Sequence, residues 1–207
     1  MSLLEALDLS ELQIKMNPDN DNPESQLTVA FKTTAHALNN AGVDFALVGG
    51  IALAQYIEPR GTKDLDFIAL AKDKISVIKA LTSVGFKRHP KSGVLKSLGN
   101  AECLMFKGPF PNANVRVDII ISDNEFFRMS IQRAKYNPAV KLKIAPIETL
   151  IVLKYLAFED RSLSINEDER NKSGNDWSDY RKLISSRKYN YKFLQHLASK
   201  LGLAWRR

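Results

Sequence analysis

Cysteine is nearly absent from this 207-residue chain, and histidine almost so. A lone Cys103, in "AECLMFKG", rules out an internal disulfide, and its apolar neighbours point to a buried thiol, as suits a reducing cytoplasm. His36, His89 and His196 lie far apart in sequence, so nothing has the spacing of a zinc site. No apolar run approaches the roughly 20 residues that span a bilayer. The opening "MSLLEALDLSELQIK" is acidic where a secretory signal would be basic. These scarcities argue against a membrane protein, a disulfide scaffold and a zinc enzyme. The last scarcity is local. Residues 181–207 contain eight Lys/Arg and no Asp/Glu, whereas residues 1–180 contain 22 basic and 23 acidic residues, so the net charge of +7 rests on the tail. Tyr189, Tyr191, Phe193 and Trp205 are interleaved there. Such a stretch is either a footprint for nucleic acid or an acidic partner, or a helix with a solvated basic face and an apolar stripe packed inward.

What is present is 44% hydrophobic residues with mixed charge, the balance of a globular protein. The spacing predicts a short helix over 3–15, then a linker rich in Pro, Asn and Asp, "MNPDNDNPESQ". Helical and strand-like patterns then alternate: a helix in "LTVAFKTTAHALNNAG", a buried strand in "DFALVGG", a helix in "IALAQYIEP" ended by Pro59, a strand in "LDFIALA" and a helix in "KDKISVIKALTSVGF". Two strands follow, "AECLMFKG" and "NVRVDIIIS", joined by "GPFPNAN", then a helix in "NEFFRMSIQRAKYN" and a short strand in "VKLKIA". From Pro146 onward everything reads as helix. The expected organisation is an N-terminal helix and linker (1–26), an α/β domain with a mixed sheet (27–145), and a helical domain with the basic tail (146–207).

Chemistry concentrates in three places. Asp64 and Asp66 are two apart in a predicted strand, so both carboxylates point to one face while Leu65 and Phe67 enter the core. In "NVRVDIIIS" the same alternation puts Arg116, Asp118 and Ile120 on one face, making Asp118 a third acid in a strongly apolar strand. Three unpaired carboxylates would repel one another and raise their own pKa values. A divalent cation, Mg²⁺ or Mn²⁺, removes that conflict, because it takes hard oxygen ligands and bridges carboxylates to substrate phosphates. Gly49 and Gly50 follow a strand and open a helix, where free N–H groups and close backbone approach suit a phosphate. Asp118 has a plainer alternative, a salt bridge to Arg116.

In "VGGIALAQYIEPRGTKDLDFIAL", Gly-Gly followed by Arg-x-Thr-x-Asp-x-Asp resembles the core motif of the DNA polymerase β-type nucleotidyltransferase superfamily. It is similar in particular to the small bacterial nucleotidyltransferases of the abortive-infection, type IV toxin–antitoxin type. "APIETLIVLKYLAFEDR" and "NDWSDYRKLI" resemble that group's helices, so the likeness runs from about Val43 to Ile184. It implies a minimal nucleotidyltransferase fold in which Gly49 and Gly50 hold a triphosphate and Asp64, Asp66 and Asp118 carry the metal and the catalysis. Lys154 would reach the nucleotide phosphates, Asp176 and Asp179 would close the nucleotide side of the cleft, and Arg60 and Thr62 would support the acidic strand or touch phosphate. One departure is the long segment "SLSINEDERNKSGN" before Asp176, which implies a mobile loop beside the cleft.

The resemblance implies transfer of NMP from an NTP to a hydroxyl, with release of pyrophosphate. The acceptor it suggests is an RNA end, such as tRNA, or a protein side chain, with toxin-like consequences and a possible antitoxin partner. Two other readings stand beside it: an aminoglycoside or lincosamide antibiotic as acceptor, and a non-catalytic nucleotide-binding scaffold on the same fold.

Overall fold

The computed structural model describes residues 26–62, 64–90, 93–108 and 115–205. The helix expected over 3–15, its linker and the tip of the "GPFPNAN" connection lie outside the described residues.

The chain opens with α1 (Gln26–Asn40), whose buried Leu27, Ala30, Phe31 and Leu38 recur at helical spacing. It closes at Gly42, in the left-handed region at φ 67°. Strand β1 (Phe45–Val48) is buried throughout and leads directly into α2 (Gly49–Leu53). The helix expected to run to Pro59 stops here. Ala54, Gln55 and Tyr56 donate to carbonyls three residues back, a tightened turn, and the Tyr56 hydroxyl donates to the Ala145 carbonyl at 3.0 Å. Strand β2 (Asp64–Ala69) and helix α3 (Lys74–Ser83) follow. Three short or long strands come next: β3 (Lys87–Arg88), β4 (Gly93–Leu95) and β5 (Ala101–Lys107). After β6 (Arg116–Ile121) comes α4 (Glu125–Gln132), capped by Asn124, whose side chain accepts from the Phe127 N–H. Lys135–Asn137, expected to continue that helix, forms β7 instead, paired with β8 (Leu142–Ile144). Three helices end the chain: α5 (Ile147–Ser162), α6 (Glu167–Ser185) and α7 (Tyr191–Ser199).

The described strands form one mixed sheet in the order β3-β5-β6-β2-β1-β8-β7, with β4 also paired to β5. β2 lies between antiparallel β1 and parallel β6. One face buries Leu65, Phe67, Val117 and Ile119. Phe67 stacks on Phe31 of α1 at 6.4 Å and meets Phe45 edge-on at 5.8 Å, which ties that face to the helical layer. The opposite face carries the acids.

The expected mobile loop before Asp176 is corrected. Only residues 163–166 connect α5 to α6, because Asn166 caps the helix by accepting from the N–H groups of Asp168 and Glu169. Glu167, Asp168 and Glu169 in the first turn suit the helix's positive end. The basic tail also takes a definite form. Leu194, Leu197 and Ala198 are buried, and Tyr189, Phe193 and Trp205 pack against the core.

Candidate active site

The acids gather because of strand register. β2 and β6 run parallel with Asp66 opposite Asp118 and Asp64 opposite Arg116. Side chains alternate along each strand, so Asp64, Asp66, Arg116 and Asp118 all lie on one face. The three-carboxylate convergence expected from alternation is therefore present, with Arg116 inside it.

Arg116 supplies the positive charge at this face. Its Nη2 donates to Asp64 Oδ2 at 3.0 Å. Its Nε lies 3.0 Å from Asp118 Oδ1, yet that N–H is not aimed along a hydrogen bond, and both atoms are buried without a hydrogen-bond partner. The contact is thus an ion pair of poor alignment. Burial pushes the Asp66 carboxyl up to about 6, with Asp64 adding to the rise against Lys154, Arg116 and Arg161. Burial, then Asp66, pushes Asp118 up to about 7, with Arg116 opposing and Asp64 adding. These are carboxylates short of positive charge.

Among the described residues, no three Asp, Glu, His or Cys side chains form a ready-made cation cage. The Arg116 guanidinium, within 3.0 Å of both Asp64 and Asp118, stands where such a cage would close. The donor set nonetheless fits a divalent cation. All three groups offer hard oxygens, and an Asp118 oxygen is buried without a hydrogen-bond partner.

Gly49 and Gly50 are explained by what faces them. Gly49 has φ 68°, and a Cβ there would stand 2.6 Å from Asp66 Cγ. A Cβ on Gly50 would come within 3.0 Å of Thr62 Cβ. The Gly-Gly turn therefore lets Asp66 and Thr62 close against the backbone. The Asp64 N–H in turn meets Thr62 Oγ1 at 3.4 Å. Since α2 has only five residues, its macrodipole is small, and a phosphate here would meet backbone N–H groups rather than a long helix end.

The other expected residues form a second cluster. The Lys154 ammonium lies 2.8 Å from Asp176 Oδ1 and 3.0 Å from Asp179 Oδ2, with both aspartates almost fully buried. Arg60, from the loop before β2, holds Asp179 in a fork at 2.8–3.1 Å. Arg161 pairs with Asp176 and, at 3.1 Å, with Glu169. Burial alone would raise Asp179, but hydrogen bonds and charge from Arg60 and Lys154 hold it below the usual carboxylate range. Lys154 and Arg161 also act on the charge of Asp66, so this network stands beside the acids. Sequence reasoning met Arg161 only as the last residue of the resembling helix and gave it no role. The signal available was its position seven residues after Lys154, on the same face of a helix.

Burial pushes the Cys103 thiol up to about 12, with Asp118 and Asp66 adding, so it is inert at neutral pH. A hollow of about 410 Å³ lined by Asn39, Asp44, Tyr136 and Lys143 lies at the other end of β1 from Gly49, away from this chemistry.

The sequence matches no known family profile and no curated protein. The fold does have counterparts. ANT(2")-Ia in complex with adenylyl-2"-tobramycin superposes with a TM-score of 0.54 at 13% identity, over 86% of this chain and 98% of that one. A solution structure of the antibiotic-resistance factor ANT(2'')-Ia gives 0.53 at 10% identity, over 83% and 90%. The Megavirus polyadenylate synthase gives 0.52 at 10% identity, over 89% of this chain but 43% of that one. At such identities the likeness speaks to architecture alone: a mixed α/β sheet followed by helices, the fold these structures share with this chain.

Proposed function

We propose that the protein is a metal-dependent nucleotidyltransferase that moves NMP from an NTP to a hydroxyl and releases pyrophosphate. The observation that carries this reading is the register of Asp66 opposite Asp118 on adjacent parallel strands, with Asp64 on the same face. Asp64, Asp66 and Asp118 would hold Mg²⁺ or Mn²⁺, which when bound stabilises charge on the transferring phosphoryl group. The acceptor hydroxyl attacks the α-phosphorus and the bond to the β-phosphate oxygen breaks. Asp118, beside the acceptor side of the sheet, helps take the hydroxyl proton. Gly49 and Gly50 offer backbone N–H groups to the triphosphate, with Thr62 behind them. Lys154 is shared by Asp176 and Asp179 and adds positive charge next to Asp66, while Arg60 ties α6 to the loop before β2.

For the acceptor, we favour an RNA end, with a toxin-like role in the cytoplasm and an antitoxin protein as the natural restraint. The likeness in fold to ANT(2")-Ia supports a second acceptor, an aminoglycoside. Such an acceptor is polycationic and calls for unpaired acids. Outside the three aspartates assigned to the metal, the buried carboxylates near this site already have cations: Asp176 and Asp179 have Lys154, Arg60 and Arg161.

The first test is binding. A ligand specific to the folded state, at a hundred times its dissociation constant, adds about 2.7 kcal/mol. At roughly 2–4 °C per kcal/mol for this size, a saturating NTP with Mg²⁺ raises the melting midpoint by about 5–10 °C. NTP in EDTA does less, since the carboxylates then face bare phosphate. No shift with any NTP in Mg²⁺ or Mn²⁺ would leave a scaffold protein.

A further inference from the structure

On the acid-bearing face, register builds a row of cations. Lys87 of β3 stands opposite Lys107 of β5, Lys107 opposite Arg116 of β6, and Arg116 opposite Asp64 of β2. Directly opposed residues share a face, so the four side chains form one line across four strands. At about 4.8 Å per strand the line is roughly 14 Å long. Lys87 and Lys107 are exposed, and among the described residues neither has an ion-pair partner. Like charges directly opposite one another weaken a sheet. The alternate face of the same strands shows the ordinary solution: Arg88 lies 3.6 Å from Glu102, which also takes Lys74 at 2.6 Å. The unrelieved pair thus lies on the face of the acids.

We propose that this row is the docking track for the acceptor, a single-stranded nucleic acid whose backbone phosphates rest on Lys87 and Lys107 and whose terminal hydroxyl reaches Asp118. The inference rests on the nucleotidyl-transfer reading and names its acceptor class. The layout of the sheet favours it. Gly49 lies on the β1 side of the acids and the lysine row on the β5–β3 side, so the nucleotide and the acceptor approach the carboxylates from opposite flanks. Met105, opposite Asp118 and half-buried, provides an apolar floor beside the last nucleotide. A polycationic antibiotic would face the two uncompensated lysines.

The test uses the full chain and a fluorescein-labelled, single-stranded oligouridylate with a free 3′ hydroxyl. Phosphate contacts are electrostatic and independent of sequence, so a generic strand suffices, and each contact adds about 0.7 to the slope of log affinity against log salt. The double variant Lys87→Gln/Lys107→Gln is expected to lose about 1.4 of that slope. Its melting midpoint should hold or rise as repulsion is relieved, and its Mg·NTP-induced shift should match the wild type. A folded double variant with an unchanged slope overturns the track. So does a wild-type chain that responds to Mg·NTP but binds no oligouridylate. A wild-type chain that binds the strand through these lysines yet responds to no Mg·NTP upholds the track and overturns the transfer reading instead.

Discussion

Replacing Gly49 by alanine probes the link between the Gly-Gly turn and the acids. Gly49 sits at φ 68°, and a Cβ there would lie 2.6 Å from both Cβ and Cγ of Asp66, nearer than real Cβ atoms approach. Left-handed backbone costs a residue with a Cβ about 1–2 kcal/mol. Forcing a methyl into a filled space costs about 1–3 kcal/mol more. Gly49→Ala should therefore lose about 2–5 kcal/mol, or roughly 4–20 °C in melting midpoint for a chain of this size. Gly50→Ala is the internal control. Its φ is not left-handed, and its added Cβ meets only Thr62, at 3.0 Å. The gain of about 1 kcal/mol from alanine over glycine within a helix offsets that crowding. Differential scanning fluorimetry in EDTA isolates the folding effect, and the Mg·NTP shift then reports the site. Gly49→Ala should lose both stability and the shift, because the methyl displaces the Asp66 carboxylate. A Gly49→Ala protein melting within about 2 °C of Gly50→Ala would refute the geometry.

Asp66→Asn should hold or raise the metal-free melting midpoint by relieving like-charge repulsion, yet abolish transfer, since several kcal/mol of charge stabilisation amounts to a thousandfold or more. Arg116→Gln should lower the metal-free midpoint, by about 1–3 kcal/mol for a half-exposed partner of two carboxylates, with Mn²⁺ restoring part of the loss in a melting titration. Asp179→Asn strips a buried carboxylate from Arg60 and Lys154 and should cost about 3–5 kcal/mol in chemical denaturation. Its pH signature has a definite sign. A carboxyl held below its unfolded value of 3.8 stabilises the protein above that pH and loses the contribution as pH falls through the lower folded value. The wild type should thus lose stability more steeply than Asp179→Asn below about pH 4.

The acid-bearing strands were legible because alternation is a local property. "DLDFIA" and "RVDIII" each declare which residues share a face, and burial of Leu65, Phe67, Val117 and Ile119 follows. Which strand lies beside which was not legible. The 51 residues between Asp66 and Asp118 carry no mark of their pairing, and the placement of Arg116 against Asp64 follows from that register alone. Over 167–175 the general helical reading from Pro146 onward gave way to an expected loop, for a different reason. The first two turns of α6 face solvent, so they lack the apolar stripe that reveals a helix, and the signature was confined to Asn166 and the acids after it. β3 and β4, at two and three residues, are too short to show any period.

Charge was the least transferable reading. Counting along the sequence puts the positive excess in residues 181–207, and the aromatic residues there suggest a nucleic-acid surface. In the fold, Tyr189, Phe193 and Trp205 pack against the core, so the tail is first of all a helix with an ordinary apolar face. Lys87, Lys107 and Arg116 are spread over 30 residues of a stretch, 74–117, that holds eight Lys/Arg against Glu102 alone, a local excess that a single division at residue 180 averages away. A sheet sums charge across strands, where neighbours stand about 4.8 Å apart, rather than along the chain. Composition can therefore flag the stretch but not the face, and the unopposed pair Lys87–Lys107 becomes a reason to look for a polyanion only once its register to Asp64 is known.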